Sequence, residues 1–161
     1  MSITINNAEY PSYATIQEAD NYFLPKFGSN WGDISEDNKK KLLVTATREI
    51  NKSDFQGCVV EVAQPLIFPR VICNICNEPV NPTEELIACC CEIANAIYNL
   101  PLADNLTTPG AENIESMSVG DTSITYRKGA NIETDIFSAT AKPIIKKFLG
   151  KYLKGNIQII L

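Results

Sequence analysis

NPTEELIACCCEIANAIYNL, residues Asn81 to Leu100, is the stretch that decides the fold. Asn81 is a good N-cap residue, Pro82 suits the first helical position, and Glu84 follows three residues after the cap. Leu86, Ile87, Cys90, Ala94, Ile97 and Tyr98 recur at helical spacing, with Ala88, Cys89, Cys91, Ile93 and Ala96 between them. The helix is thus apolar around most of its circumference, which predicts a place in the middle of a domain. It would span roughly 30 Å at the usual rise per residue, and Pro101 stops it.

Working outward, the flanking helices are one-sided. Thr15-Ile16-Gln17-Glu18 is a capping box that opens a helix to about Phe27, with Ile16, Ala19, Phe23 and Phe27 on one face. Pro25 is expected to kink it or end it early. Gly28 to Asp33 is a loop carrying the only tryptophan, Trp31. Ser35 caps a second helix to about Lys52, burying Leu42, Leu43, Ala46 and Ile50 and turning Lys39, Lys40, Lys41 and Arg48 outward or sideways. A last helix lies between Thr134 and Lys154, with Ile144, Ile145, Phe148, Leu149, Tyr152 and Leu153 as its stripe, and Gly155 ends it.

Between these elements the chain is irregular or extended. Residues 1–14 read as an extended N-terminal arm, and 155–161 as an apolar C-terminal tail. Phe55-Gln56-Gly57 turns the chain, and Cys58 to Val62 is a candidate short strand. Gln64 to Arg70 predicts a strap across the helices, and Val71 to Val80 a loop. Met117, Val119, Ile124 and Tyr126 alternate about Gly120-Asp121, the pattern of a β-hairpin over 114–128. The expected fold is mainly α: about four helices in a small bundle around a central apolar helix, with one hairpin and extended terminal arms. The whole chain, 1–161, would form a single domain with its helical core at 15–100.

Composition narrows the function. The 161 residues are 45% apolar and 20% charged, an ordinary globular balance, and no run approaches the roughly 20 apolar residues of a membrane span. MSITINNAEY lacks the basic and apolar regions of a signal peptide, so a cytoplasmic start is expected. There the six cysteines would act as small apolar residues. A formal charge of −5 argues against a protein shaped simply to grip phosphates.

Chemistry is sparse. With no histidine, the commonest general base and metal ligand is missing, and no nucleophile elbow, phosphate loop or dinucleotide fingerprint occurs. Asp33, Glu36 and Asp37, like Glu84 and Glu85, sit at helix starts, where negative charge favours the dipole. Cys73-Asn74-Ile75-Cys76 is a lone CxxC; Cys58 or the 89–91 cluster could complete four thiolates, but a loop with apolar thiols is the simpler reading. No enzyme, cofactor or metal is expected.

Contact surfaces are the better candidates. Lys146, Lys147, Lys151 and Lys154 lie on the last helix, as a solvated face or as a contact with DNA or an acidic partner. Ile157, Ile159 and Ile160 would fold back, beside Ile3 and Ile5, or add to a neighbouring subunit's sheet. Tyr126 and Arg127, with Lys128, form the only basic–aromatic cluster.

A resemblance emerges from several of these segments together. Tyr13-Ala14-Thr15-Ile16-Gln17-Glu18-Ala19-Asp20-Asn21-Tyr22-Phe23, Trp31, Lys41-Leu42-Leu43 and Ala46-Thr47-Arg48-Glu49-Ile50-Asn51 are followed by Phe55-Gln56-Gly57 and Gln64-Pro65-Leu66-Ile67-Phe68-Pro69-Arg70. In this order they resemble a tailed-bacteriophage family often labelled DnaT-like single-stranded-DNA-binding protein, whose members are similar to head–tail connector adaptors, or head completion proteins. The likeness is good over residues 13–100; the hairpin and last helix agree in kind and order. The CxxC and the triple cysteine are not part of the pattern.

The resemblance implies a structural virion protein located in the neck, assembled from the host cytoplasm. It would bind below the portal protein as a homo-oligomeric ring, commonly of twelve copies, and extend the DNA channel. Its other partners would be a stopper or tail-completion protein and the packaged double-stranded DNA, which slides through without sequence-specific contact. No membrane partner is implied. Lys146, Lys147, Lys151, Ile157, Ile159 and Ile160 would then meet the portal or the adjacent subunit. The alternative takes the label literally, as a single-stranded-DNA-binding replication protein with a basic groove and aromatic platforms.

Overall fold

A computed structural model describes residues 1–72, 78–100, 116–119, 122–125 and 132–155. Among the described residues the fold is mainly α, with four α-helices and three small antiparallel sheets. In chain order the elements are β1 (Ser2–Ile5), β2 (Ala8–Pro11), α1 (Ile16–Phe23), α2 (Glu36–Asn51), β3 (Cys58–Val59), β4 (Arg70–Val71), β5 (Pro79–Val80), α3 (Thr83–Tyr98), β6 (Ser116–Val119), β7 (Thr122–Thr125) and α4 (Ile132–Leu149). Strands β3, β4 and β5 form one sheet, and β1–β2 and β6–β7 are separate pairs.

The N-terminal residues are a hairpin, not the expected arm. Ile5 pairs with Ala8, and Asn6 and Asn7 take φ of 48° and 64°, the left-handed geometry a two-residue hairpin turn needs. Asparagine tolerates that region better than other non-glycine residues. The hairpin is thus an addition to the one expected at 114–128. There β6 and β7 pair from Ser116↔Thr125 to Val119↔Thr122. The expected loop from Val71 to Val80 also differs, because β4 pairs with both β3 and β5.

Helix α1 has the expected capping box. The Glu18 amide donates to Thr15 Oγ1 at 3.2 Å, and the Thr15 amide donates to Glu18 Oε2 at 2.8 Å. It ends at Phe23 rather than near Phe27, since Pro25 has no N–H to continue the ladder. The chain turns out there, leaving Phe27 fully exposed instead of on the buried face. Phe23 stacks on the buried Trp31 with ring centres 4.9 Å apart, and Trp31 Nε1 donates to Asp20 Oδ1 at 2.8 Å.

Helix α3 begins one residue later than expected. Pro82 has φ −77° and ψ 72°, and the Thr83 amide donates to the Asn81 carbonyl at 2.8 Å. That is an inverse γ-turn, which uses the Asn81 carbonyl and makes Pro82 the cap. The body of α3 is buried as its sequence demands. Cys89, Cys90, Cys91, Ile93 and Ala94 are fully enclosed, and α3 packs against α1, α2 and α4. Tyr98, expected on the stripe, is exposed at the helix end. Helix α2 buries Leu43, Val44, Ala46 and Ile50, and α4 buries Ile136, Ala141, Ile145 and Leu149. Each buried leucine, isoleucine or valine among them contributes roughly 1.5–3 kcal/mol.

Candidate functional site: a lysine-rimmed cleft between α2 and α4

The strap and the turn before it hold the ends of α2 and α4 together. Arg70 is buried with no carboxylate partner among the described residues. Its guanidinium instead donates to the carbonyls of Gln56 (2.8 Å), Gly57 (2.7 Å), Phe55 (3.2 Å) and Ile67 (3.4 Å). The planar fork suits that task, its nitrogens meeting three carbonyls of the turn and one of the strap. Gly57 is obligatory there: φ is +72°, and a Cβ would sit 2.0 Å from the Val71 carbonyl oxygen.

The same turn receives the chain leaving α4. Phe55 bridges to Leu153, the Gln56 amide donates to the Tyr152 carbonyl at 2.7 Å, and the Lys154 amide donates to the Asp54 carbonyl at 2.9 Å. Phe68 packs edge-on between Phe55 and Tyr152, at 5.0 and 5.8 Å. Where α2 ends, α4 passes and the chain returns, these ties leave a cleft of about 440 Å³. Its apolar lining is Ala141, Ile145 and Leu153; its polar lining includes Lys52, Lys142, Lys146 and Lys154. Among the described residues, no aromatic side chain lines it.

Charge in the cleft is unbalanced. Among the described residues that line it, four lysines stand against two carboxylates, Glu49 and Asp54. Glu49 is 5% exposed and accepts from Lys52 Nζ and from Ser138 Oγ at 2.8 Å, so it joins α2 to α4. Lys142, Lys146 and Lys154 have no ion pair among the described residues.

The structure divides the lysines expected to form one face. Lys146 and Lys154 line the cleft, whereas Lys151 pairs with Glu85 of α3 at 3.2 Å and lies 4.9 Å over the Tyr152 ring. Lys147 sits 5.3 Å over the Phe148 ring. The α-helix ends at Leu149 and gives way to a 3-10 turn, Gly150–Tyr152, which breaks the spacing the sequence suggested. Two cleft lysines escaped the sequence reading. Lys142 is four residues before Lys146, so its place was readable from helical spacing; Lys52 arrives only through the packing of α2 on α4. Tyr126, Arg127, Ile157, Ile159 and Ile160 lie outside the described residues.

The cysteines have no reactive geometry in the core. Burial pushes the Cys90 thiol up to about 12 and raises Cys89 and Cys91 as well. Cys90 Sγ donates to the Leu43 carbonyl at 3.6 Å and lies 3.6 Å from Thr47 Oγ1. Cys58 is free and exposed, and Cys73 and Cys76 lie outside the described residues. Among the described residues, no three His, Cys, Asp or Glu side chains converge to hold a metal ion. No helix among them is long and apolar enough to cross a membrane.

Residues 2–160 match the family described as "Putative DnaT-like ssDNA binding protein". No curated protein and no solved structure matches the chain.

Proposed function

The chain belongs to the DnaT-like family, and from that premise we propose that it is a structural virion protein of a tailed phage, a head–tail connector adaptor. In this reading each copy is a small helical bundle around the central α3, and the copies dock below the portal as a ring, extend the DNA channel and hand on to a stopper or tail protein.

The observation that carries this reading is the disposition of the aromatic side chains. Gripping single strands takes a positive groove with aromatic faces on which bases stack. Here Tyr13, Phe23, Trp31, Phe55, Phe68 and Tyr152 are buried in the core. Among the described residues only Phe27 and Tyr98 stand out as exposed aromatics, and neither lines the lysine cleft. A chain of net charge −5 also suits a channel through which DNA must slide without sticking.

The family's description favours a second reading, single-stranded-DNA binding in phage replication. Titration of a labelled oligonucleotide at increasing salt separates the two. The connector reading expects no saturable binding in the micromolar range at physiological salt. Micromolar binding that falls steeply as salt rises would reverse the choice.

A further inference from the structure

We propose that the cleft between α2 and α4 is a docking site for an acidic segment of a partner protein, one that places an apolar side chain between carboxylates. The inference rests on the structural reading in one respect, that the partner is a protein.

Three features of the cleft select that occupant. Its apolar lining, Ala141, Ile145 and Leu153, offers a dry seat for one aliphatic side chain. Around that seat stand Lys142, Lys146 and Lys154, which have no ion pair among the described residues and are exposed. In a chain of net charge −5, the described residues that line this cleft carry a positive excess, four lysines to two carboxylates. Such a local reversal of sign steers an anionic partner to one place and repels the rest of its surface.

The cleft is also built to hold its shape. Glu49, inside it, is held by Lys52 and Ser138, and the Gln56 and Lys154 amides clamp the returning chain against the end of α2. A seat already formed loses little in ordering when it is filled. At about 440 Å³ it falls in the size range of ligand pockets, enough for a few side chains and not for a folded surface. Single-stranded nucleic acid fits less well, because its bases would find no aromatic face there.

The test uses the full chain and a short fluorescent peptide with a leucine flanked by glutamates, followed by anisotropy. Binding is expected in the micromolar range, weakening with salt. The double variant K142E/K146E should lose about tenfold or more, as expected for removing and reversing two favourable charge contacts. Both side chains are exposed, so the variant should keep the wild-type melting curve. Lys40→Glu, on the distant first half of α2, should bind as the parent does. Replacing the peptide's leucine with serine should weaken binding, which a purely electrostatic surface would not show. Equal binding by the K142E/K146E variant, or by the serine peptide, would overturn the inference. So would displacement of the peptide by oligo(dT) at lower concentration than by unlabelled peptide, which would assign the cleft to phosphates. Counting the chain in phage particles tests the connector reading separately, so either can fail without the other.

Discussion

Arg70 shows how much one residue can organise. It gathers four carbonyls from the turn and the strap around one buried guanidinium. Arg70→Ala should therefore destabilise the fold by about 3 kcal/mol, read as a shift in the urea midpoint, because several buried acceptors lose their donors together. Arg70→Lys should recover little, since a single ammonium cannot reproduce the fork. The cysteines make the opposite case, of reactive groups silenced by position. Iodoacetamide on the native protein should modify Cys58 and leave Cys89, Cys90 and Cys91 untouched, as mapped by peptide mass spectrometry. Labelling of the three core thiols at the rate of Cys58 would mean that α3 is not packed as described.

At the scale of elements, Tyr13 ties the chain after β2 to α2 and to the strap. Its hydroxyl donates to Asn51 Oδ1 at 2.7 Å and accepts from the Ile67 and Phe68 amides at 3.0 and 3.4 Å. Tyr13→Phe should cost about 1–2 kcal/mol in denaturant unfolding, the usual penalty for buried polar groups left without a partner. The helices were the legible part of the sequence, because helical period and caps are local signals. Leu43, Ala46, Ile50, Cys90 and Ala94 could be placed on buried stripes from spacing alone. The β1–β2 hairpin was readable too, in Asn6-Asn7 flanked by strand formers, though two asparagines signal a turn less strongly than Asn-Gly. Of the sheet of β3, β4 and β5 only the first strand was readable, at the start of Cys58 to Val62, since two-residue strands carry no alternation. The cleft was readable only in part: Lys142 and Lys146 share one face of α4 by spacing, but Lys52 joins them only because the 54–57 turn is tied to the chain after α4.

For the molecule as a whole, a core that encloses three adjacent thiols imposes a pH dependence. Burial raises them from the ordinary value of 9.0, Cys90 to about 12. Above the ordinary value the unfolded chain releases protons that the folded chain still holds, so the stabilising contribution is complete below that pH and is lost as pH rises towards the folded values. The denaturant midpoint should accordingly hold through neutrality and fall in alkali; a midpoint unchanged above pH 9.0 would contradict a thiol-packed core. The proposal that the chain builds an assembly rests on this core, which buries Tyr13, Phe23, Trp31, Phe55, Phe68 and Tyr152, and on the net charge of −5. Quantitative mass spectrometry of purified phage particles, counting this chain against the portal protein, tests that most directly. Equal copies of the two are expected of a connector adaptor, and particles that lack the chain would contradict the account and point instead to replication.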